Sequence, residues 1–161
     1  MEIKNLYMLH GILQTLAFLI LFPIGIIIAL CKNYIGPRWF ILHILFQSFG
    51  IICVFTAVIL AVYAESLKSK INHTNRQEDI HVQTPNNKSE LPQLHVIFGI
   101  VVIILIIKQI IWAVFVRKII NHDLWAKIHL ILALLILGFG WTNIYLGYKH
   151  YKSHYNIQKD T

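Results

Sequence analysis

YMLHGILQTLAFLILFPIGIIIALC, residues 7–31, contains no acidic residue, lysine or arginine, and the charge-free run around it extends over 27 positions between Lys4 and Lys32. As a helix at about 1.5 Å per residue, such a run exceeds the ~30 Å hydrocarbon core of a bilayer. No water inside a bilayer satisfies open backbone groups, so the run must close its own hydrogen bonds as a helix. Three further runs repeat the pattern. Twenty-six residues separate Arg38 from Glu65, 26 separate Glu90 from Arg117 with Lys108 the only charge, and 21 separate Lys127 from Lys149. The whole chain is 57% hydrophobic and 13% charged, where soluble domains carry roughly half and a quarter. This excludes a disordered chain, and two cysteines exclude a disulfide scaffold. A soluble enzyme does not fit. The expected fold is an all-α membrane protein, a bundle of four transmembrane helices.

The spans are expected at about 6–30, 39–63, 93–117 and 125–148, within one domain covering residues 1–161. The first is too long and too uniformly apolar for a cleaved signal peptide. Gly36-Pro37 stops one helix and restarts the next in the short turn 31–38. The turn 118–124 is equally short, with Asn121 or Asp123 placed to cap the last helix. Short turns make helices 1 and 2 neighbours, and likewise 3 and 4. Residues 64–91 are polar, without apolar periodicity, and read as a flexible loop; the tail 149–161 reads as loosely ordered.

Both termini and the loop 64–91 fall on one side of the bilayer, side X, and the two short turns on the other, side Y. Side Y concentrates Lys32, Arg38, Arg117, Lys118 and Lys127 against Asp123 alone, whereas the longer side-X segments dilute eight bases with six acids. Positive residues in short loops mark the cytosolic face. Side Y is therefore expected in the cytosol, and the termini and long loop in a lumen or outside the cell. Two glycosylation sequons, Asn72-His73-Thr74 and Asn87-Lys88-Ser89, agree with a lumenal long loop. The net charge of +7 then reflects anchoring to anionic headgroups, not a nucleic-acid surface. Trp39, Trp125 and Tyr34 on side Y, with Tyr7, Tyr63, Tyr145 and Tyr148 on side X, stand where interfacial aromatic belts belong. Cys31 and Cys53 differ in depth and are read as packing residues.

The chemistry lies in four of the nine histidines, one per span: His10, His43, His95 and His129. An ionisable side chain within a bilayer is costly and marks function by default. His10 and His43 are 33 residues apart, His95 and His129 34, as in a duplicated two-helix unit. Helix direction alternates, so His10 and His95 share a depth near side X, and His43 and His129 a depth near side Y. Two imidazoles facing each other at one depth are what bis-histidine ligation of a haem iron requires. For a single histidine, a hydrogen bond to a neighbouring helix is an equally good account; two matched pairs at a repeated spacing favour ligation. Each depth supplies two nitrogens and neither Cys nor carboxylate, too few for tetrahedral zinc. Two haems are thus expected, separated in depth by about 20 Å of a ~30 Å core. Gly11, Gly50, Gly99, Gly138 and Gly140 either make room for a planar ligand or let helices approach closely.

These residues resemble the eukaryotic cytochrome b561 family. The likeness runs through Leu9-His10-Gly11-Ile12-Leu13, Phe22-Pro23-Ile24-Gly25, Trp39-Phe40-Ile41-Leu42-His43 with Gln47, and His95-Val96-Ile97-Phe98-Gly99 with Gln109. It continues in Trp125-Ala126-Lys127-Ile128-His129 and Asn143-Ile144-Tyr145-Leu146-Gly147, and so covers residues 9–148. The resemblance implies a core holding two b-type haems, one on His10 and His95 and one on His43 and His129. It implies electron transfer from a cytosolic donor, typically ascorbate, to monodehydroascorbate or a ferric chelate across the membrane. Many members carry additional helices or an extracellular domain. This sequence corresponds to the four-helix core alone, which favours a homodimer or another subunit as partner.

On side Y, Arg38, Lys127 and Lys32 are the candidate substrate-binding residues, because an ascorbate monoanion or a haem propionate accepts charge-assisted hydrogen bonds there. Anchoring to lipid is the alternative for each base. Lys108 falls near side-Y depth, placed to pair with a propionate or to snorkel. Gln14 and Gln47 follow haem-ligand positions by one turn, as neighbours of the site or as interhelical glue. His73, His81, His150 and His154 on side X read as solvated histidines or as a transient hold for a metal acceptor. Two other functions fit the same four histidines: a haem-bearing anchor subunit within a larger complex, and a non-redox tetraspanning transporter or scaffold.

Overall fold

The computed structural model of the chain describes residues 2–78 and 90–156. Among the described residues every regular element is helical. Four long helices dominate: α1 (Ile3–Leu30), α2 (Trp39–Glu78), α3 (Glu90–Val114) and α4 (His122–Asn156). All four are long and apolar enough to cross a membrane. α1 lies along α2 and α3 along α4, as the short turns require, and α1 also touches α4.

Pro23 shapes α1. Proline lacks an N–H and cannot continue a regular helix without costing a hydrogen bond. α1 meets this with a π-turn, Ala17–Leu21, in which the Phe22 N–H reaches back to the Ala17 carbonyl. In that register the next donor, to the Phe18 carbonyl, would be the Pro23 nitrogen, which has no hydrogen. The Trp141 indole N–H from α4 donates to Phe18 O instead, at 2.9 Å. Gln47 Nε2 from α2 donates to Phe22 O at 3.3 Å. Carbonyls around the irregular turn thus fasten α1 to two other helices.

The core lies midway along the bundle and draws on all four helices: Ala17, Phe18 and Phe22, Val54, Val102 and Ile106, Ile136 and Leu137. The Phe18 and Phe22 rings meet edge to face, 5.2 Å apart. Gly140 and Gly50 make this possible, because a Cβ on either would overlap Phe18 and Phe22 respectively. At these two glycines close packing, and not room for a planar ligand, is the reason for the small residue. Gly11 and Gly138, by contrast, open onto free space, and a Cβ at Gly99 would make only ordinary contact with Asn143 Nδ2 at 3.4 Å. Outward-facing Ile, Leu, Val and Phe cover the bundle, as a lipid-facing surface requires.

α2 and α4 run further than the apolar spans. The segment expected to be a loop from residue 64 continues as helix to Glu78, and the tail continues to Asn156. The cause is propagation. Ser66 to Glu78 contains no Gly or Pro and includes the helix formers Leu67, Lys68, Lys70, Arg76, Gln77 and Glu78. Adding residues to an existing helix avoids the cost of nucleation. Tyr7 on α1 secures the extension by donating to the Glu65 carboxylate at 2.5 Å. The start of α4 follows expectation: Asn121 Oδ1 accepts the Asp123 N–H at 2.8 Å as its cap. Cys31 and Cys53 are both free thiols.

Candidate functional site: two facing histidine pairs

The four intramembrane histidines meet two by two. His10 on α1 faces His95 on α3 with ring centroids 6.0 Å apart and planes crossed at 85°. His43 on α2 faces His129 on α4 at 6.4 Å and 64°. All four rings are half-buried. First with third and second with fourth is the pairing that alternating helix direction demands.

Three rings are fixed through Nδ1. His10 Nδ1 lies 2.8 Å from Ala57 O, His43 Nδ1 2.8 Å from Gly25 O, and His95 Nδ1 3.0 Å from Asn143 O. A carbonyl only accepts, so each of these Nδ1 atoms carries a proton, and in the neutral imidazole each Nε2 keeps its lone pair. Ligand histidines characteristically hold the non-ligating N–H on a carbonyl or carboxylate in this way. Two glycines allow the approach. A Cβ on Gly147 would lie 2.8 Å from His95 Cε1, and one on Gly25 would lie 2.5 Å from Gln47 Nε2.

The arrangement repeats. Ala57 follows His43 by 14 residues and Asn143 follows His129 by 14. Fourteen residues of helix rise about 21 Å, so the two histidine levels stand about 20 Å apart along α4. The aromatic core occupies the interval. His129 breaks the repeat. Its Nδ1 is buried without a hydrogen-bond partner, as is Gln109 Oε1. Gln109 Nε2 donates to the His129 carbonyl at 2.8 Å and lies 3.4 Å from His129 Nε2.

The donor chemistry fits a haem iron at each level. Two imidazoles on opposite faces of one metal, bonded at about 2 Å each, place their ring centres about 6 Å apart. Both pairs meet that spacing, and three of the four rings present an Nε2 lone pair. Among the described residues no group of three or more His, Cys, Asp or Glu gathers to form an all-protein metal site. No protein-family model, curated protein or solved structure matches the chain.

Among the side-Y bases, Lys32, Arg38 and Lys127 are exposed, and Lys108 is exposed beside Gln109 at the level of His129. Arg117 is exposed too, and its guanidinium carbon lies 5.6 Å from the Trp125 ring and 5.8 Å from that of Phe40. Trp125 in turn stacks on His129, with centroids 5.1 Å apart and planes 15° off parallel. The His122 ring lies tilted against Trp125, with centroids 5.7 Å apart. Trp125 and Trp112 lock together, each indole N–H donating to the other's carbonyl at 3.0 and 3.3 Å. The sequence placed Trp125 in an interfacial belt and did not single out this stack. Its signal was spacing: His122, Trp125 and His129 recur at three and four residues, on one helix face.

Gln47 serves as interhelical glue, bonded to Phe22 O. On side X, Glu65, Lys68, Ser69, Asn72 and His73 line a shallow polar concavity on α2. His81 and the His154 side chain, like Asn87, lie outside the described residues.

Proposed function

We propose that this chain is a cytochrome b561-type protein that carries electrons across a membrane, from cytosolic ascorbate on side Y to monodehydroascorbate or a ferric chelate on side X. The observation that carries this reading is the presence of two facing histidine pairs, 6.0 and 6.4 Å between ring centres, at opposite ends of one apolar bundle. A haem held by two imidazoles would supply single-electron chemistry and would leave its iron no position for a substrate. In this reading His10 and His95 hold one haem, and His43 and His129 the other. The carbonyls of Ala57, Gly25 and Asn143 set the tautomer and orientation of three of those ligands. Phe18, Phe22 and the aliphatic core make the interval between the levels mainly apolar. Arg117, Arg38, Lys32 and Lys127 give side Y a positive rim suited to an anionic reductant.

The test is to express the chain with haem supplied, purify it and titrate it anaerobically with ascorbate. Two low-spin haems per chain, reducible by ascorbate, are expected. A colourless protein overturns the reading. A haem protein that ascorbate fails to reduce overturns the donor assignment alone.

A further inference from the structure

Of the four facing imidazoles, His129 alone lacks an acceptor for its Nδ1, and the residue beside it holds an amide oxygen that lacks a donor. Buried polar groups are almost always paired, so two complementary groups left unpaired on neighbouring side chains call for an account.

The internal repeat shows why the usual acceptor is missing. Gly25, which accepts from His43, follows His10 by 15 residues; the equivalent position after His95 is Ile110. Gly25 lets α2 approach so closely that a Cβ there would lie 2.5 Å from Gln47 Nε2. Ile110 brings a branched side chain to the matching place on α3, and no α3 carbonyl bonds the His129 ring. Gln109 sits next to it in sequence and already addresses His129, through the backbone carbonyl at 2.8 Å and the ring Nε2 at 3.4 Å. A half-turn of the imidazole about Cβ–Cγ exchanges Nδ1 with Cδ2, the atom bonded to Nε2. That motion turns Nε2 away from the amide and brings the N–H to the ring edge that Gln109 approaches. Because the amide nitrogen faces that edge, held by the His129 carbonyl, the amide must also pivot about that bond for its unpaired Oε1 to meet the N–H.

We propose that Gln109 is the positioning residue for His129, its amide Oε1 accepting the Nδ1–H bond that Ala57, Gly25 and Asn143 accept through backbone carbonyls at the other three histidines. The inference rests on the haem reading and adds an inequivalence to it: one axial ligand is set by an exchangeable side chain and three by the main chain. An acceptor on Nδ1 raises the basicity of a ligand imidazole and favours the oxidised metal.

The experiment compares haem retention and redox titration of the wild-type chain with Gln109→Met, Gln109→Glu and Gln47→Met. Gln109→Met keeps the length but removes the acceptor. One haem should bind roughly 10–100-fold more weakly and its midpoint potential should rise, while the other haem is unchanged. Gln109→Glu restores an acceptor oxygen and should reverse both effects. Gln47→Met, which removes an amide bonded to Phe22 O and not to a histidine, should move neither potential. In a His95→Ala background the Gln109→Met effect should persist on the haem that remains. Two haems in every variant with unchanged potentials overturn the proposal while leaving the haem reading intact, and so does an equal shift in Gln47→Met. A wild-type chain that binds no haem overturns both.

Discussion

The Trp141 indole donates to the Phe18 carbonyl at 2.9 Å, across 123 residues of sequence, and it does so where Pro23 leaves the π-turn short of one donor. Trp141→Phe keeps a ring but strands that carbonyl. Interhelical hydrogen bonds in membranes average about 0.6 kcal/mol and reach about 1.7, so a loss of ~1 kcal/mol is expected in detergent unfolding. Pro23→Ala supplies a backbone N–H, so in the double variant the Trp141→Phe cost should shrink. Strictly additive costs would show that Pro23 and Trp141 are not coupled through Phe18.

The histidines should fail in pairs. His10→Ala and His95→Ala each remove a ring from one facing pair, and His43→Ala and His129→Ala one from the other. If each pair holds a haem as proposed, then with the levels about 20 Å apart losing one ligand should release or convert one haem and leave the other low-spin. In oriented vesicles, the His43 and His129 variants should lose fast reduction by ascorbate from side Y. The His10 and His95 variants should accept the first electron and fail to deliver it to side X. Loss of the same haem in His10→Ala and His43→Ala would break the pairing.

The four spans and the pairing of the histidines were legible in the residues. Charge-free runs long enough to span a bilayer can only be helices, and one histidine near the start of each helix, with direction alternating, leaves a single consistent pairing. What could not be read was how carbonyls are shared. That His10 bonds Ala57 and His95 bonds Asn143 depends on helix rotation and approach, which hydropathy does not encode. Glycine was ambiguous for the same reason: Gly50 and Gly140 receive Phe22 and Phe18, whereas Gly11 and Gly138 face open space. The helical stretch after residue 64 was hidden by its polarity, since helix propensity without an apolar stripe resembles loop composition.

Gly147 offers a one-sided probe of the His10/His95 pair. A Cβ there would lie 2.8 Å from His95 Cε1 and 3.1 Å from Nδ1, the nitrogen that the Asn143 carbonyl, one turn earlier on the same helix, holds at 3.0 Å. Gly147→Ala should therefore turn His95 off its acceptor. The haem on His10 and His95 should bind more weakly, by roughly the 10–100-fold typical of lost outer-shell support, with the other haem unaffected. Haem stoichiometry and the low-spin bands measure this directly. An unchanged spectrum in Gly147→Ala would mean that His95 can yield without losing its position.

Arg117 is expected to outweigh the other side-Y bases in receiving an anionic reductant. It alone among them stands over Trp125, which stacks on His129 at 5.1 Å. A donor bound at its guanidinium would lie at the outer end of a continuous aromatic contact leading to the histidine pair. Arg38 and Lys127 are exposed like Arg117, but neither has a ring contact with Trp125, so their effect is expected to be mainly long-range and salt-screened. A charge-assisted hydrogen bond contributes about 1.5–3 kcal/mol, equivalent to roughly a 10–100-fold change in the ascorbate concentration for half-maximal reduction. Arg117→Gln should show a change of that order, and Arg38→Gln or Lys127→Gln only a few-fold one that disappears at high salt. Stopped-flow reduction at two ionic strengths separates the cases. Should Arg38→Gln or Lys127→Gln prove the more damaging at high salt, the donor docks away from the Trp125 stack.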